Sequence, residues 1–363
     1  MYKYDRKRIE KDMLSWWNFE EIGRPIVRIM GYDEPIQMPE EPADAQMLHL
    51  DPSYKMAAAK AVYDGATFYG EAFQSLELNL GPGSMATYLG SEPIFHRDTI
   101  WFSEVAENSL EELGELRYNP DNKWWKYHLD VVTRGAALCK GTAIIPNIPD
   151  ILENIDILSL LRSPQELCYD IIDEPEVVHR YIGQIDDIYF DYYDPMYELI
   201  KDGDGGCSYT AFSIIAPEKC AKIQCDFAAL MSPGQFREFI IPSLKKQCEK
   251  IPYTLFHLDG PDAIRHIEAL MEIEELNAIN WVPGSAEADG GDEKWYPLYD
   301  KVIEAGKSLW IALEHGGVER FIALSRKLVE RYGSSRGFYL HYPMLPNRDA
   351  KRLYEASLRE FQE

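Results

Sequence analysis

From about residue 122 onward, short apolar runs rich in β-branched and aromatic residues alternate with stretches of helical period, and this alternation constrains the fold more than any other feature. The runs are 142–145, Cys207–Phe212, Ala221–Asp226, Tyr253–Phe256, Ala278–Val282, Ser308–Leu313 and Phe338–Tyr342. Between two of them, Phe236, Phe239, Ile240, Leu244 and Cys248 fall at spacings of three and four, which puts one stripe of a helix in a core. Ser163-Pro-Gln-Glu166 and Ser232-Pro-Gly-Gln235 are helix-start signatures, each with proline at the first helical position. Strands that alternate with helices of this length pair in parallel through right-handed crossovers, and seven or eight such units favour closure into a barrel.

The expected fold is therefore α/β: a single domain over residues 1–363, built as one (β/α)8 TIM barrel. An amphipathic helix over 1–24, with Met13, Trp16, Trp17 and Phe19 near one face, precedes the strand Pro25–Tyr32. A helix over 52–71 leads to a strand at Leu76–Leu80, and residues 84–121 form an irregular elaboration at the barrel entrance. After the first strand there is no Gly-x-Gly-x-x-Gly, which weakens a dinucleotide-binding alternative.

The net charge of −24 gives no basic face for nucleic acid. No apolar stretch reaches the roughly 20 residues of a membrane span, and the charged N-terminus has no secretory apolar segment. The six cysteines are scattered without a Cys-x-x-Cys pair, as expected of reduced thiols in a cytoplasmic protein. The oligomeric state is open, a homodimer included.

In such a barrel the active site lies where strands end. Polar residues stand at those ends: Asn79, Asn147 with Asp150, Tyr209, Cys225 with Asp226, His257 with Asp259, Asn280 with Trp281, Glu314 with His315, and His341 with Tyr342. His257 and Asp259 are two apart, so on a strand they share a face. Pointing inward, they could hold a metal together with His341. Two other readings stay open: an acid–base pair without metal, and Asp259 as the cap of the helix after Gly260. Arg162 follows Asp150 and Asp156; it is read either as a structural ion pair or as a substrate-orienting guanidinium. Trp281 sits close enough to a strand end to wall a pocket.

Cys225-Asp-Phe227, Met231-Ser-Pro233, Phe236-Arg-Glu-Phe239, His257-Leu-Asp-Gly-Pro261 and Asn280-Trp-Val-Pro-Gly284 together resemble the uroporphyrinogen decarboxylase superfamily, in its methyltransferase-like, corrinoid-related branch. Leu78–Gly83, Asp98-Thr-Ile-Trp101 and the segment from Pro149 to Arg162 extend the likeness. The resemblance implies the barrel and a site at its C-terminal face. It also implies transfer of a methyl group between a small methylated substrate and a corrinoid protein or a thiol. The Arg-Gln-Ala-Gly-Arg segment of the decarboxylases is missing after Arg24-Pro25, and Asn79 stands where they carry an aspartate.

The zinc set of the thiol methyltransferases matches at His257, but Asp259 replaces a cysteine and the distant position near 341–344 has none. The implied roles are His257, Asp259 and His341 as ligands of a zinc ion or as polarising groups, with Asn79, Tyr209 and Trp281 shaping the pocket. The alternatives are a cofactor-free carboxy-lyase acting on a small acid, with Asp226 or Asp150 handling the proton, and a non-catalytic binding barrel.

Overall fold

The protein is described by a computed structural model over residues 3–361. Helix α1 (Arg6–Trp17) is capped by the Asp5 side chain, which accepts from the Arg8 amide. It buries Ile9, Met13, Trp16 and Trp17, a three-and-four spacing that presents both indoles to the core. Trp16 Nε1 donates to the Gly337 carbonyl and Trp17 Nε1 to that of Ile215, both at 2.9 Å. Phe19 lies outside the helix, with a positive φ of 53°.

The strands in chain order begin with β1 (Ile26–Tyr32), β2 (Ala66–Gly70) and β3 (Ser75–Leu76). Next come β4 (Pro93–Phe95) and β5 (Ile100–Phe102), a hairpin within the 84–121 elaboration. They are followed by β6 (Ile145–Pro146), β7 (Cys207–Tyr209), β8 (Ile214–Ala216) and β9 (Cys220–Gln224). The last are β10 (Tyr253–Asp259), β11 (Ala278–Val282), β12 (Ser308–Ala312), β13 (Phe338–His341) and β14 (Leu345–Pro346). The long acidic, tyrosine-rich segment is a helix over Pro175–Ile200, and Ser232 with Gln235 forms the expected capping box.

A parallel ladder runs β9–β10–β11–β12–β13–β1, and β3 pairs in parallel with β6. The fold is TIM-like, but among the described residues one ladder does not close through eight strands, which corrects the sequence expectation. Each open edge has a physical reason. The helix expected over 52–71 stops at Gly65. Ala66-Thr-Phe-Tyr-Gly70 then becomes β2, which pairs antiparallel with β1 from Ala66↔Tyr32 to Gly70↔Arg28 and takes the edge that β3 would need. At the other end, side chains satisfy β9 in place of a strand. Glu153 Oε1 accepts from the Gln224 amide at 2.6 Å, and Asn154 Nδ2 donates to the Gln224 carbonyl at 3.3 Å.

The register aligns Gln224, His257, Asn280, Trp310, Tyr339 and Ile26 in one row. Residues paired in this way share a face of the sheet. The β7–β8 hairpin lies over that face. Its Phe212 carbonyl accepts from Trp310 Nε1 at 2.9 Å, and its Ser213 carbonyl from the Tyr339 hydroxyl at 2.7 Å. Strand alternation thus puts the polar members of the row, Gln224, His257 and Asn280, on the enclosed side.

Candidate active site

His257 is half-buried near the end of β10, its ring 5.3 Å from that of Phe212. Its Nδ1 lies 2.5 Å from Asn280 Oδ1. With that oxygen accepting, Nδ1 carries the proton and Nε2 keeps a free lone pair. Asn280 is fully buried, and its Nδ2 has no hydrogen-bond partner. Burial and the Lys222 charge hold the imidazole below its ordinary pKa, opposed by Asn280, Asp259 and Asp226.

On β9, buried Lys222 donates to Asp150 Oδ2 at 2.7 Å and also to Gln224 Oε1. The Tyr209 hydroxyl donates to the same Asp150 oxygen at 2.9 Å, and the Leu152 amide to Asp150 Oδ1 at 3.2 Å. Burial lowers the Lys222 pKa, but Asp150 and Glu153 outweigh it and keep the ammonium charged. Glu153 is raised well above the usual carboxylate range by burial. Asp156 accepts from the amides of Asp226 and Phe227 at 2.8 and 2.9 Å. Its carboxyl is pushed up by burial and by the Asp226 charge. Asp226 is open to a cleft of about 200 Å³ lined by Asp156, Ser159, Leu160 and Phe227. Its inner oxygen accepts from Gln224 Nε2 at 2.9 Å, and desolvation on that side shifts its carboxyl up. Two interacting carboxyls titrate as a pair, and with Asp156 pushed up to about 6 and Asp226 also raised, the pair holds a proton into the mildly acidic range.

The structure joins Asp150 to Tyr209 directly, and the Lys222–Gln224 pair connects them to Asp226. His257 feels the charges of Lys222, Asp226 and Asp259. The other residues singled out from sequence lie elsewhere. Asp259 is exposed, and its side chain does not cap the following helix, whose N-cap is Gly260. His341 is half-buried on β13, the register partner of Arg28, with its ring 4.8 Å from Trp310.

Asn79 lines a separate cleft of about 180 Å³ with His49, Lys55, Glu77 and Asp98. Trp281 is fully buried against Trp295, at 4.8 Å between rings. Alternation explains this: its neighbour Asn280 faces inward, so Trp281 faces the helices and does not wall the site. Arg162 pairs with Asp170 at 2.8 Å and donates to the carbonyls of Ala106 and Glu107, so it ties a helix to a loop. The Glu314 and His315 amides donate to Asp289 Oδ2, a loop contact.

Among the described residues no three His, Cys, Asp or Glu side chains converge as a metal site. His257, Asp259 and His341 do not stand together as such a cluster: Asp259 is exposed, and His341 lies on a separate strand beside the Arg28 charge. Zinc geometry needs three or four such donors about 2 Å from one point.

Sequence reasoning missed Lys222 and Arg28. Each is the lone cation of a largely apolar strand, and that is the signal that could have found them.

Against known proteins, no family model and no curated protein sequence matches the chain. Among solved structures, a methyltransferase from Methanosarcina mazei superposes with a TM-score of 0.63 at 14% identity. The match covers 96% of this chain and 98% of that one. The class that emerges is a TIM-like α/β protein with a methyltransferase-like fold. At this identity the likeness is one of fold, and the chemistry must be read from the side chains.

Proposed function

We propose that the protein is a methyltransferase that takes a methyl group from a small methylated substrate on the enclosed face of the sheet and passes it to a corrinoid protein or a thiol. The observation that carries this reading is the grouping of a neutral His257, with Nε2 free, and the proton-holding Asp156–Asp226 pair around charged Lys222. Methyl transfer from oxygen or nitrogen needs what such a group supplies. As the nucleophile bonds to the methyl carbon, the bond from carbon to the heteroatom breaks, and the heteroatom takes a proton. Asp226, open to the cleft, delivers that proton, and Lys222 stabilises the carboxylate left behind. His257 orients the heteroatom through Nε2, its ring fixed by Asn280. The fold likeness to a methyltransferase supports the same reading.

A carboxy-lyase is the second reading. It is favoured by the raised carboxyls of Glu153 and Asp156, which would protonate a carbanion after loss of carbon dioxide.

One experiment separates the two. The purified protein is incubated with a panel of small O- and N-methylated acids, ethers and amines. Methylation of free cob(I)alamin or of a thiol is followed in parallel with trapped carbon dioxide. The first reading expects a methylated acceptor and no gas; gas without a methylated acceptor would establish the second.

A further inference from the structure

Arg28 lies on β1 within the apolar run Ile26-Val-Arg-Ile-Met30. Its register partner is His341, and the pair follows the His257–Asn280–Trp310–Tyr339 row one step of alternation toward the strand ends. Among the described residues no carboxylate comes within 4.0 Å of its guanidinium. Its one hydrogen bond runs from Nη1 to the Tyr342 carbonyl at 3.1 Å. Nε is buried and has no partner.

The chain's other deeply placed cations are not left this way. Lys222 has Asp150, and the three carbonyls of Ile273, Glu274 and Leu276 receive Lys307. Arg24 has Glu71. Arg28 is half-buried, and a charge drawn partly out of water without a counter-ion is costly unless a ligand completes it. His341 offers no compensation, because burial and the Arg28 charge keep its imidazole neutral.

We propose that Arg28 anchors a carboxylate on the small substrate, with Nε and Nη2 as the two prongs. The free edge of the guanidinium is the one that takes a carboxylate in bidentate fashion. A single unpaired positive charge calls for a monoanion. The acidic group of Asp150, Glu153, Asp156 and Asp226 on the other side of the site disfavours a dianion such as phosphate. The rings of Trp310 and Phe212, 5.3 Å apart, stand between this anchor and His257, Trp310 packing on His341 and Phe212 on His257, and the unpartnered Nδ2 of Asn280 adds a second donor. The acid is therefore short, with its reacting end toward His257. This deepens the methyl-transfer reading by giving the methylated substrate a carboxylate.

The test reads binding alone, so a failed transfer assay leaves it intact. Methoxyacetate and its neutral isostere methoxyacetamide are titrated into wild-type protein by calorimetry at constant ionic strength, alongside acetate and propionate. The acids are expected to bind more tightly than the amide by on the order of tenfold or more, the usual yield of a charge-assisted bidentate contact. In Arg28→Gln the preference should vanish, and without ligand the variant should melt higher than wild type, since an unpaired charge partly withdrawn from water is gone. Arg28→Lys should keep a weakened preference. Equal binding of acid and amide by the wild type, or no binding of any of the acids, would overturn the proposal. So would an Arg28→Gln protein that melts lower than wild type while keeping the preference.

Discussion

Replacing Lys222 with Met leaves Asp150, with Glu153 close by, facing the interior without a cation. The ammonium and carboxylate lie 2.7 Å apart, with side chains 2% and 7% exposed. At an effective dielectric of about 20 their attraction is about 6 kcal/mol, and the desolvation of both ions consumes most of it. Removing one partner of such a pair typically costs about 3–5 kcal/mol, because the other stays buried and charged. Asp150 keeps the Tyr209 hydroxyl and the Leu152 amide, so the lower end applies: about 3 kcal/mol at pH 8. The loss should shrink toward pH 5, because Glu153, raised by burial and no longer opposed by the Lys222 charge, takes up its proton. Asp150→Leu alone should cost as much, since it strands Lys222 beside Gln224. In the double variant no lone ion remains, and the two losses should fall short of their sum by about 2 kcal/mol or more. Urea unfolding of the four proteins at pH 8 and pH 5 measures all of this. Strict additivity of the two substitutions, or a Lys222→Met deficit independent of pH, would refute the reasoning.

Two further outcomes concern stability. Burial raises Asp186 from 3.8 to about 6, while the Ser243 hydroxyl donates to it. The folded state therefore holds this proton longer than the unfolded chain does. The group's contribution is full below pH 3.8 and is lost as pH rises through about 6. Asp186→Asn should flatten that fall and exceed wild type at pH 8 by up to about 3 kcal/mol, read from urea midpoints against pH. Gly70 has φ +60°, and a Cβ there would stand 2.3 Å from the Val27 carbonyl. Gly70→Ala should cost about 2 kcal/mol or more and loosen β2 from β1, seen as faster amide exchange at Tyr69 and Glu71 than in wild type.

Much of the strand framework can be read from the chain. The apolar runs at Ala278–Val282 and Ser308–Leu313 coincide with β11 and β12 to within a residue, because buried parallel strands read as continuous apolar segments. Ser232 announces its helix through the capping box. The sequence singles out Asp150, Tyr209, Asp226 and His257 at or just beyond strand ends, and the structure links the first three through Lys222 and Gln224.

Other features are set by long-range contacts. β2 continues a helical stretch without a break before Gly65, and only the free edge of β1 makes Ala66–Gly70 a strand. The chain after Tyr209 turns back as β8 through Ser213, a non-glycine residue with positive φ that no turn motif marks. Trp281 needed the parity of its strand, and Arg162 needed the position of Asp170, eight residues further along a separate helix. For the expected zinc set, His257 and His341 sit at suitable strand ends, yet they stand on strands separated by β11 and β12 and keep different neighbours.

The most direct measurement is a single-turnover comparison of wild type with His257→Gln and Asp226→Asn, using the donor that the methylated panel identifies and cob(I)alamin as acceptor. Wild type should methylate cobalamin, with both variants folded and slowed by on the order of 100-fold or more, the usual share of a positioned acid or base. Asp226→Asn should also lose the fall in rate on the alkaline side of the pH–rate profile, where the proton donor is ionised. Transfer at the wild-type rate in both folded variants, or no methylated cobalamin from any donor, would contradict a methyl-transfer site built on His257 and Asp226.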